Sequence, residues 1–347
     1  MVQETLQKIF RENLGILAAD ERPSSMDRRL ESYGIAPGES MRNQYRSILF
    51  STPNIERYVS GVILSEDTFS EHRVGDVLSR DYLTNLGIAV GVKVDEGLAP
   101  YTPDESELHI TKGLESLREK CAQYKKEGAV FTKWRATIPV TPLPDGFLTA
   151  VAENMATYAS VVLKHDLVPI VEPEVLLEGS HTIDEAAETL EQTIRCVHKA
   201  LQDKGCNPHH CILKTSFATA GLSADQPSSD VVSKKTLEVF KSTNLDSDKG
   251  FFGIVFLSGG LPSDTAIEYV QRIRAVAEVR ETEHAFRPPL TFSYGRALQD
   301  MALKEWGGNQ DAVANAQIAF TQTLQHATKK YKGMVEAPEA GGGKRDV

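Results

Sequence analysis

Apolar residues in this chain gather in eight short runs, about 30 to 45 residues apart, and nearly every run ends on a charged or hydroxyl side chain. The runs are LGILAAD, ending at Asp20; SGVILSE, ending at Glu66; IAVGVKVD, with Lys93 and Asp95; and AVFTKWR, with Lys133 and Arg135. They continue with LVPIVEPE, carrying Glu172 and Glu174; CILKTS, with Lys214; GIVFLSGG, with Ser258; and LTFSYGR, with Ser293 and Arg296. Each is four to eight residues of mostly Val, Ile, Leu, Phe and Ala, the length and composition of a strand buried on both faces. The gap after each has room for a crossover helix. Eight such units predict a (β/α)8 TIM barrel, an α/β fold whose active site is built from the C-terminal ends of the strands. The polar ends of the runs are therefore expected to converge on one mouth.

Spacing within the runs sharpens this. Lys93 and Asp95, Lys133 and Arg135, and Glu172 and Glu174 are each two residues apart, so both members of each pair share one face of an extended strand. A buried charge costs several kcal/mol even after relaxation, so the chain must pair these groups or use them. One strand-end lysine is explained by a structural ion pair. Three lysines and at least four carboxylates on different strands are better explained by coupled titratable groups serving catalysis.

Such groups suit imine chemistry. A lysine crowded by cations in a partly dry barrel loses its proton more readily, and the neutral amine attacks a carbonyl. The iminium then stabilises a carbanion on the neighbouring carbon, so a carbon–carbon bond breaks or forms without a metal or other cofactor. Glu172 and Glu174, flanking Pro173, are the candidate proton shuttles. After the last two strands, SGG (Ser258, Gly259, Gly260) and SYGR (Ser293, Gly295, Arg296) offer hydroxyls, backbone N–H groups and a guanidinium at the common phosphate position of barrel enzymes. Each loop alone reads equally well as a tight turn; their place after the seventh and eighth strands favours phosphate. A second anion site is suggested after the first strand, where Pro23, Ser24 and Ser25 start a helix that carries Arg28 and Arg29. The alternative for either arginine is a solvated helix face.

Composition bounds the setting. The chain has 347 residues, 41% hydrophobic and 25% charged, somewhat above the length of about 250 typical of this fold. We expect one barrel domain with an N-terminal helix over residues 1–332 and a flexible tail over 333–347. A net charge of −10 argues against nucleic-acid partners, and no run suits a membrane span or signal peptide. The four cysteines, Cys121, Cys196, Cys206 and Cys211, form no secreted framework, so the reducing cytoplasm is the expected compartment. Cys206, His209, His210 and Cys211 are read as a loop rather than a metal site.

The segments GILAADE, SGVILSEDT, GVKVDEG, CAQYKKEGAVFTKWR, VPIVEPE, ILK, FLSGG, LTFSYGRALQ and ALKEWGG closely resemble the class I fructose-1,6-bisphosphate aldolases, in order from about residue 14 to about residue 308. The resemblance implies reversible cleavage of fructose 1,6-bisphosphate through a Schiff base on Lys214. It makes Glu172 the proton-transfer group in imine formation, with Glu174 beside it, Asp20 the acceptor of the substrate hydroxyl proton, and Lys133 an aid at the reacting centre. Lys93 and Arg135 would contact substrate; Ser258, Gly259, Gly295 and Arg296, with Ser293, the phosphate nearer the ketone; and Arg29, with Ser25, substrate phosphate. Composition and spacing leave Lys93, Lys133 and Lys214 all open as nucleophile. They lean to Lys214, whose run CILKT holds no neighbouring acid.

The resemblance further implies a homotetramer of glycolysis and gluconeogenesis that needs no metal, and no histidine falls at a strand end to suit a zinc-dependent alternative. Fructose 1-phosphate and sedoheptulose bisphosphate are the alternative substrates, and a non-catalytic, filament-binding barrel the alternative role. Two departures stand out. ERPSS replaces the ESTGS of common animal and plant members, putting Arg22 and Pro23 where small hydroxyl residues stand, and no tyrosine ends the chain; the nearest, Tyr331, reads as the end of the last helix.

Overall fold

The computed structural model describes residues 1–11, 13–102, 107–243, 245, 249–278 and 288–329. Its centre is a closed barrel of eight strands, all pairing in parallel: β1 (Gly15–Ala19), β2 (Val59–Leu64), β3 (Ala89–Lys93), β4 (Phe131–Ile138), β5 (Val168–Val175), β6 (Ile212–Thr215), β7 (Gly253–Phe256) and β8 (Leu290–Tyr294). Closure comes from β1 against β8, with Ile16 opposite Ser293 and Leu17 opposite Tyr294. The eight apolar runs are the eight barrel strands, so the expected (β/α)8 architecture is what the chain adopts. Among the described residues no helix is long and apolar enough to cross a membrane. The expected tail, 333–347, and Tyr331 lie outside the described residues.

Alternation along the strands builds two cores. Leu17, Val62, Val90, Val92, Trp134, Val171, Leu213, Ile254, Phe256 and Phe292 point outward and pack under the helices. Ile16, Ala18, Ile63, Ala89, Phe131, Val168, Ile170, Ile212 and Val255 fill the barrel interior, closed at the N-terminal end by Leu6 and Ile9 of the helix Val2–Ile9. The interior is therefore apolar at the bottom. Going up the same inward rows, Gly91 gives way to Lys93, Phe131 to Lys133 and Arg135, Ile170 to Glu172 and Glu174, and Ile212 to Lys214. A dry apolar floor beneath a charged layer strengthens every electrostatic interaction in that layer.

The floor is closed by rings set against glycines, Phe131 against Gly91 and Phe10 against Gly253. A Cβ on Gly91 would lie 2.2 Å from the Phe131 ring, whereas one on Gly61 would keep ordinary contact at 3.6 Å. Gly91→Ala should thus lower stability by roughly 1–3 kcal/mol through overpacking. Thermal or urea unfolding checks this. Phe131→Leu, costly alone, should restore part of the loss in the double variant if the clash is the cause.

Candidate active site

The C-terminal ends of the strands open into one cavity of about 870 Å³, and the fourteen residues to which the resemblance assigns a role all line it. Asp20 follows β1, Lys93 ends β3, Lys133 and Arg135 lie on β4, Glu172 and Glu174 on β5, and Lys214 on β6. Ser258 and Gly259 follow β7, Ser293 lies on β8 and is followed by Gly295 and Arg296, and Ser25 and Arg29 come from the helix Pro23–Ser32. Pro at the first position of that helix fixes the backbone turn out of β1.

At the centre is a buried ion-pair chain. Glu172 Oε1 lies 2.9 Å from Lys214 Nζ, and Oε2 lies 2.9 Å from Lys133 Nζ, out of line for a hydrogen bond. Lys133 Nζ donates in turn to Asp20 Oδ2. Lys133, Glu172 and Lys214 are only 3–4% exposed. Arg135 pairs with Glu174 above this layer. Lys93 Nζ donates to Asp95 Oδ1 at 2.8 Å, and Arg22 reaches the same oxygen at 3.1 Å and the Asp95 carbonyl at 2.9 Å.

These contacts set protonation. Burial alone would raise the Asp20 pKa, but Lys133, Lys214 and Lys93 outweigh it and hold the carboxyl well below its ordinary range. Glu172 is likewise lowered, burial being overcome by Lys133, Lys214 and Arg135. Lys133 is pushed the other way: burial disfavours its charge, yet Asp20 and Glu172 raise its pKa, so it stays an ammonium. Lys93 is lowered by burial, with Lys133 adding to the effect and Asp95 opposing it. Lys133 is thus locked as a cation and unsuited to nucleophilic attack.

Two expectations need correction. Glu66, the polar end of the second run, does not reach the mouth: it begins the short helix Glu66–Ser70 and pairs with Lys120 at 2.7 Å, because the chain has already turned off the strand. Lys214 also has an acid neighbour after all, Glu172 on the adjacent strand. Its own run holds none, and pairing across strands is invisible in local spacing.

Other functional groups were not singled out from the sequence. Glu21 and Asp300 line the cavity and both bind Arg29. Arg46 is buried and donates to the Glu21 carbonyl at 2.9 Å, the Ala19 carbonyl at 3.3 Å, Ser65 Oγ at 3.1 Å and Thr68 Oγ1, fixing the turn that presents Asp20. A lone arginine in a helical segment gives no sequence signal for that role. The motif Cys206–Cys211 lies at the other end of the barrel, entering β6, where the Asn207 side chain caps the turn Pro208–His210.

The cavity lining carries eight cationic and six acidic side chains, a local excess of positive charge in a chain of net charge −10. It suits an anionic ligand.

Comparisons with known proteins identify the family. The family model described as fructose-bisphosphate aldolase class-I matches residues 1–345. Fructose-bisphosphate aldolase of Drosophila melanogaster is 35% identical over 346 residues, covering 99% of this chain and 93% of that protein. Fructose-bisphosphate aldolase B of Bos taurus is 35% identical, with 96% and 90% covered. The solved structure of fructose-bisphosphate aldolase from Plasmodium falciparum, in complex with TRAP and a small molecule inhibitor, superposes with a TM-score of 0.88 at 34% identity, covering 96% of this chain and 95% of that one. With the whole length matched by the family model and by relatives at this identity, the chain belongs to the class I fructose-bisphosphate aldolase family.

Proposed function

We propose that this aldolase cleaves fructose 1,6-bisphosphate reversibly to dihydroxyacetone phosphate and glyceraldehyde 3-phosphate through an imine on Lys214. The observation that carries this reading is Glu172 bridging Lys214 and the locked ammonium of Lys133 on a dry barrel floor.

The steps follow from those contacts. Lys214 passes a proton to Glu172 Oε1, 2.9 Å away, and the free amine attacks the ketone carbon. Glu172 returns the proton to the carbinolamine hydroxyl, which leaves as water and gives the iminium. Asp20, ionised beside Lys133, takes the proton of the hydroxyl on the carbon two bonds beyond. The carbon–carbon electrons flow into the iminium, so the aldehyde departs and an enamine remains. Asp20 is a weak base, and its low proton affinity is offset because the hydroxyl acidifies as the bond breaks. The enamine carbon then gains a proton from water while Asp20 returns the proton it took to solvent, and hydrolysis of the imine releases dihydroxyacetone phosphate and restores Lys214.

Ser258, Gly259, Ser293, Gly295 and Arg296 are assigned to the phosphate nearer the ketone. The Ser293 hydroxyl is buried with no hydrogen-bond partner within the protein, which supports this assignment. Lys93 and Arg135 are assigned to the sugar, and Arg29 and Ser25 to the distal phosphate. A homotetramer is inferred from the resemblance alone and a cytoplasmic setting from the four cysteines; sedimentation of the purified chain checks the assembly.

The test is a coupled assay for both triose phosphates from fructose 1,6-bisphosphate in excess EDTA, beside fructose 1-phosphate and sedoheptulose bisphosphate. Cleavage of fructose 1,6-bisphosphate with the highest kcat/KM supports the reading. A higher value for either competitor moves the substrate assignment, and no cleavage of any of the three defeats the proposal.

A further inference from the structure

Arg29 reaches the cavity already occupied by carboxylates. Its Nη1 donates to Glu21 Oε1 at 2.8 Å and to Gln299 Oε1 at 3.0 Å, and its Nη2 donates to Asp300 Oδ1 at 2.7 Å. Two acids on one guanidinium leave the cluster with a net negative charge. The two acids differ in setting. Glu21 lies deeper, at 22% side-chain exposure, on the turn that Arg46 secures, while Asp300, at 40%, projects from the second turn of the helix Arg296–Trp306. Gln299 holds its place by donating to the Ala18 carbonyl at 2.7 Å. Carboxylate and phosphate present similar oxygen edges to a guanidinium, so they compete for the same N–H groups. The carboxylate that yields is the one water solvates more readily once released, and that is the more exposed Asp300.

We propose that Asp300 is a specificity-determining residue that competes with the substrate's distal phosphate monoester for Arg29 Nη2 and weakens its binding. This rests on the aldolase reading and on the assignment of Arg29 to that phosphate. Asp300 opens the clamp outward when the phosphate arrives and recaptures Arg29 when it leaves. The arrangement limits how tightly the aldehyde product is held, and product release sets the turnover of many enzymes. Removing the charge of Asp300 removes both the competitor and its repulsion of the phosphate. A unit charge about 6 Å away, at the effective dielectric constants of about 40 to 80 expected at a solvent-open rim, makes about a three- to tenfold effect.

The experiment uses the full chain as wild type, Asp300→Asn and Asp300→Glu. KM is measured for fructose 1,6-bisphosphate and for fructose 1-phosphate, which lacks the distal group, together with inhibition of fructose 1-phosphate cleavage by inorganic phosphate. The expected result is a three- to tenfold lower KM for the bisphosphate in Asp300→Asn, tighter inhibition by phosphate, a much smaller change in KM for fructose 1-phosphate, and a return toward wild type in Asp300→Glu. An unchanged or raised KM for the bisphosphate in Asp300→Asn overturns the inference, as does an equal drop for both substrates. Absence of cleavage by the wild type would instead defeat the aldolase reading, while binding of inorganic phosphate to the three proteins, measured by calorimetry, still decides whether Asp300 opposes phosphate.

Discussion

Lys214→Met is expected to lower kcat for fructose 1,6-bisphosphate by roughly 10⁴-fold or more, the scale seen when a covalent nucleophile is deleted from its unit. Methionine keeps the length and apolar stem of lysine but has no amine, so no carbinolamine can form. The same variant should lose all borohydride-trapped adduct with dihydroxyacetone phosphate, whereas the wild type yields one modified peptide containing Lys214. Lys133→Met provides the contrast. Lys133 is held charged by Asp20 and Glu172, so its loss should slow turnover while trapping on Lys214 persists. An adduct on Lys93 or Lys133 in the wild type would overturn the assignment of the nucleophile, and circular dichroism with a thermal melt separates lost chemistry from lost fold.

The lean toward Lys214 rests on an incomplete reason. Its run holds no acid, but Glu172 stands beside it across the sheet, and what separates the lysines is the number and placement of their acidic partners. Lys133 is caught between two carboxylates, Lys93 shares Asp95 with Arg22, and Lys214 faces one oxygen of a carboxylate that Lys133 also claims. These are relations between strands. A one-dimensional spacing shows which residues share a face, and so it brought Lys133 with Arg135 and Glu172 with Glu174 to the interior. It does not show which neighbour each will meet.

The same limit explains the rest. Strand positions were legible because a strand buried on both faces must be apolar throughout, and the inward rows change from Phe131 and Ile170 to Lys133 and Glu172 within two residues. Glu66 was misplaced because the end of an apolar run marks the end of a strand without giving the direction of the next residue. The clamp on Arg29 was invisible because Asp300 is 271 positions away in sequence and joins it only when β8 closes against β1. Family resemblance named Arg29, but the balance of charge around it depends on an acid that no motif near it announces.

Glu172→Gln carries the second large effect, and it tests the proton relay rather than the nucleophile. Glutamine keeps the shape of the side chain yet cannot take the proton from Lys214 or return it to the carbinolamine, so kcat should fall by about 10²–10⁴-fold. Borohydride trapping should slow in parallel but reach Lys214 eventually, unlike the complete loss in Lys214→Met. Stability should change as well. Lys133 would keep Asp20 while Lys214 would lose its ion-pair partner, and breaking a buried charge network costs roughly 3–5 kcal/mol. The pH dependence has a definite sign. Because the pKa of Glu172 is lowered on folding, its contribution is complete above its unfolded pKa of roughly 4 and is lost as pH falls toward the lower folded value. The stability gap between wild type and Glu172→Gln should therefore be widest near neutral pH and shrink in acid, as urea melts across that range would show. A constant gap would mean that Glu172 acts through packing, and unchanged trapping kinetics would move the proton transfer to Glu174, which Arg135 holds in the layer above.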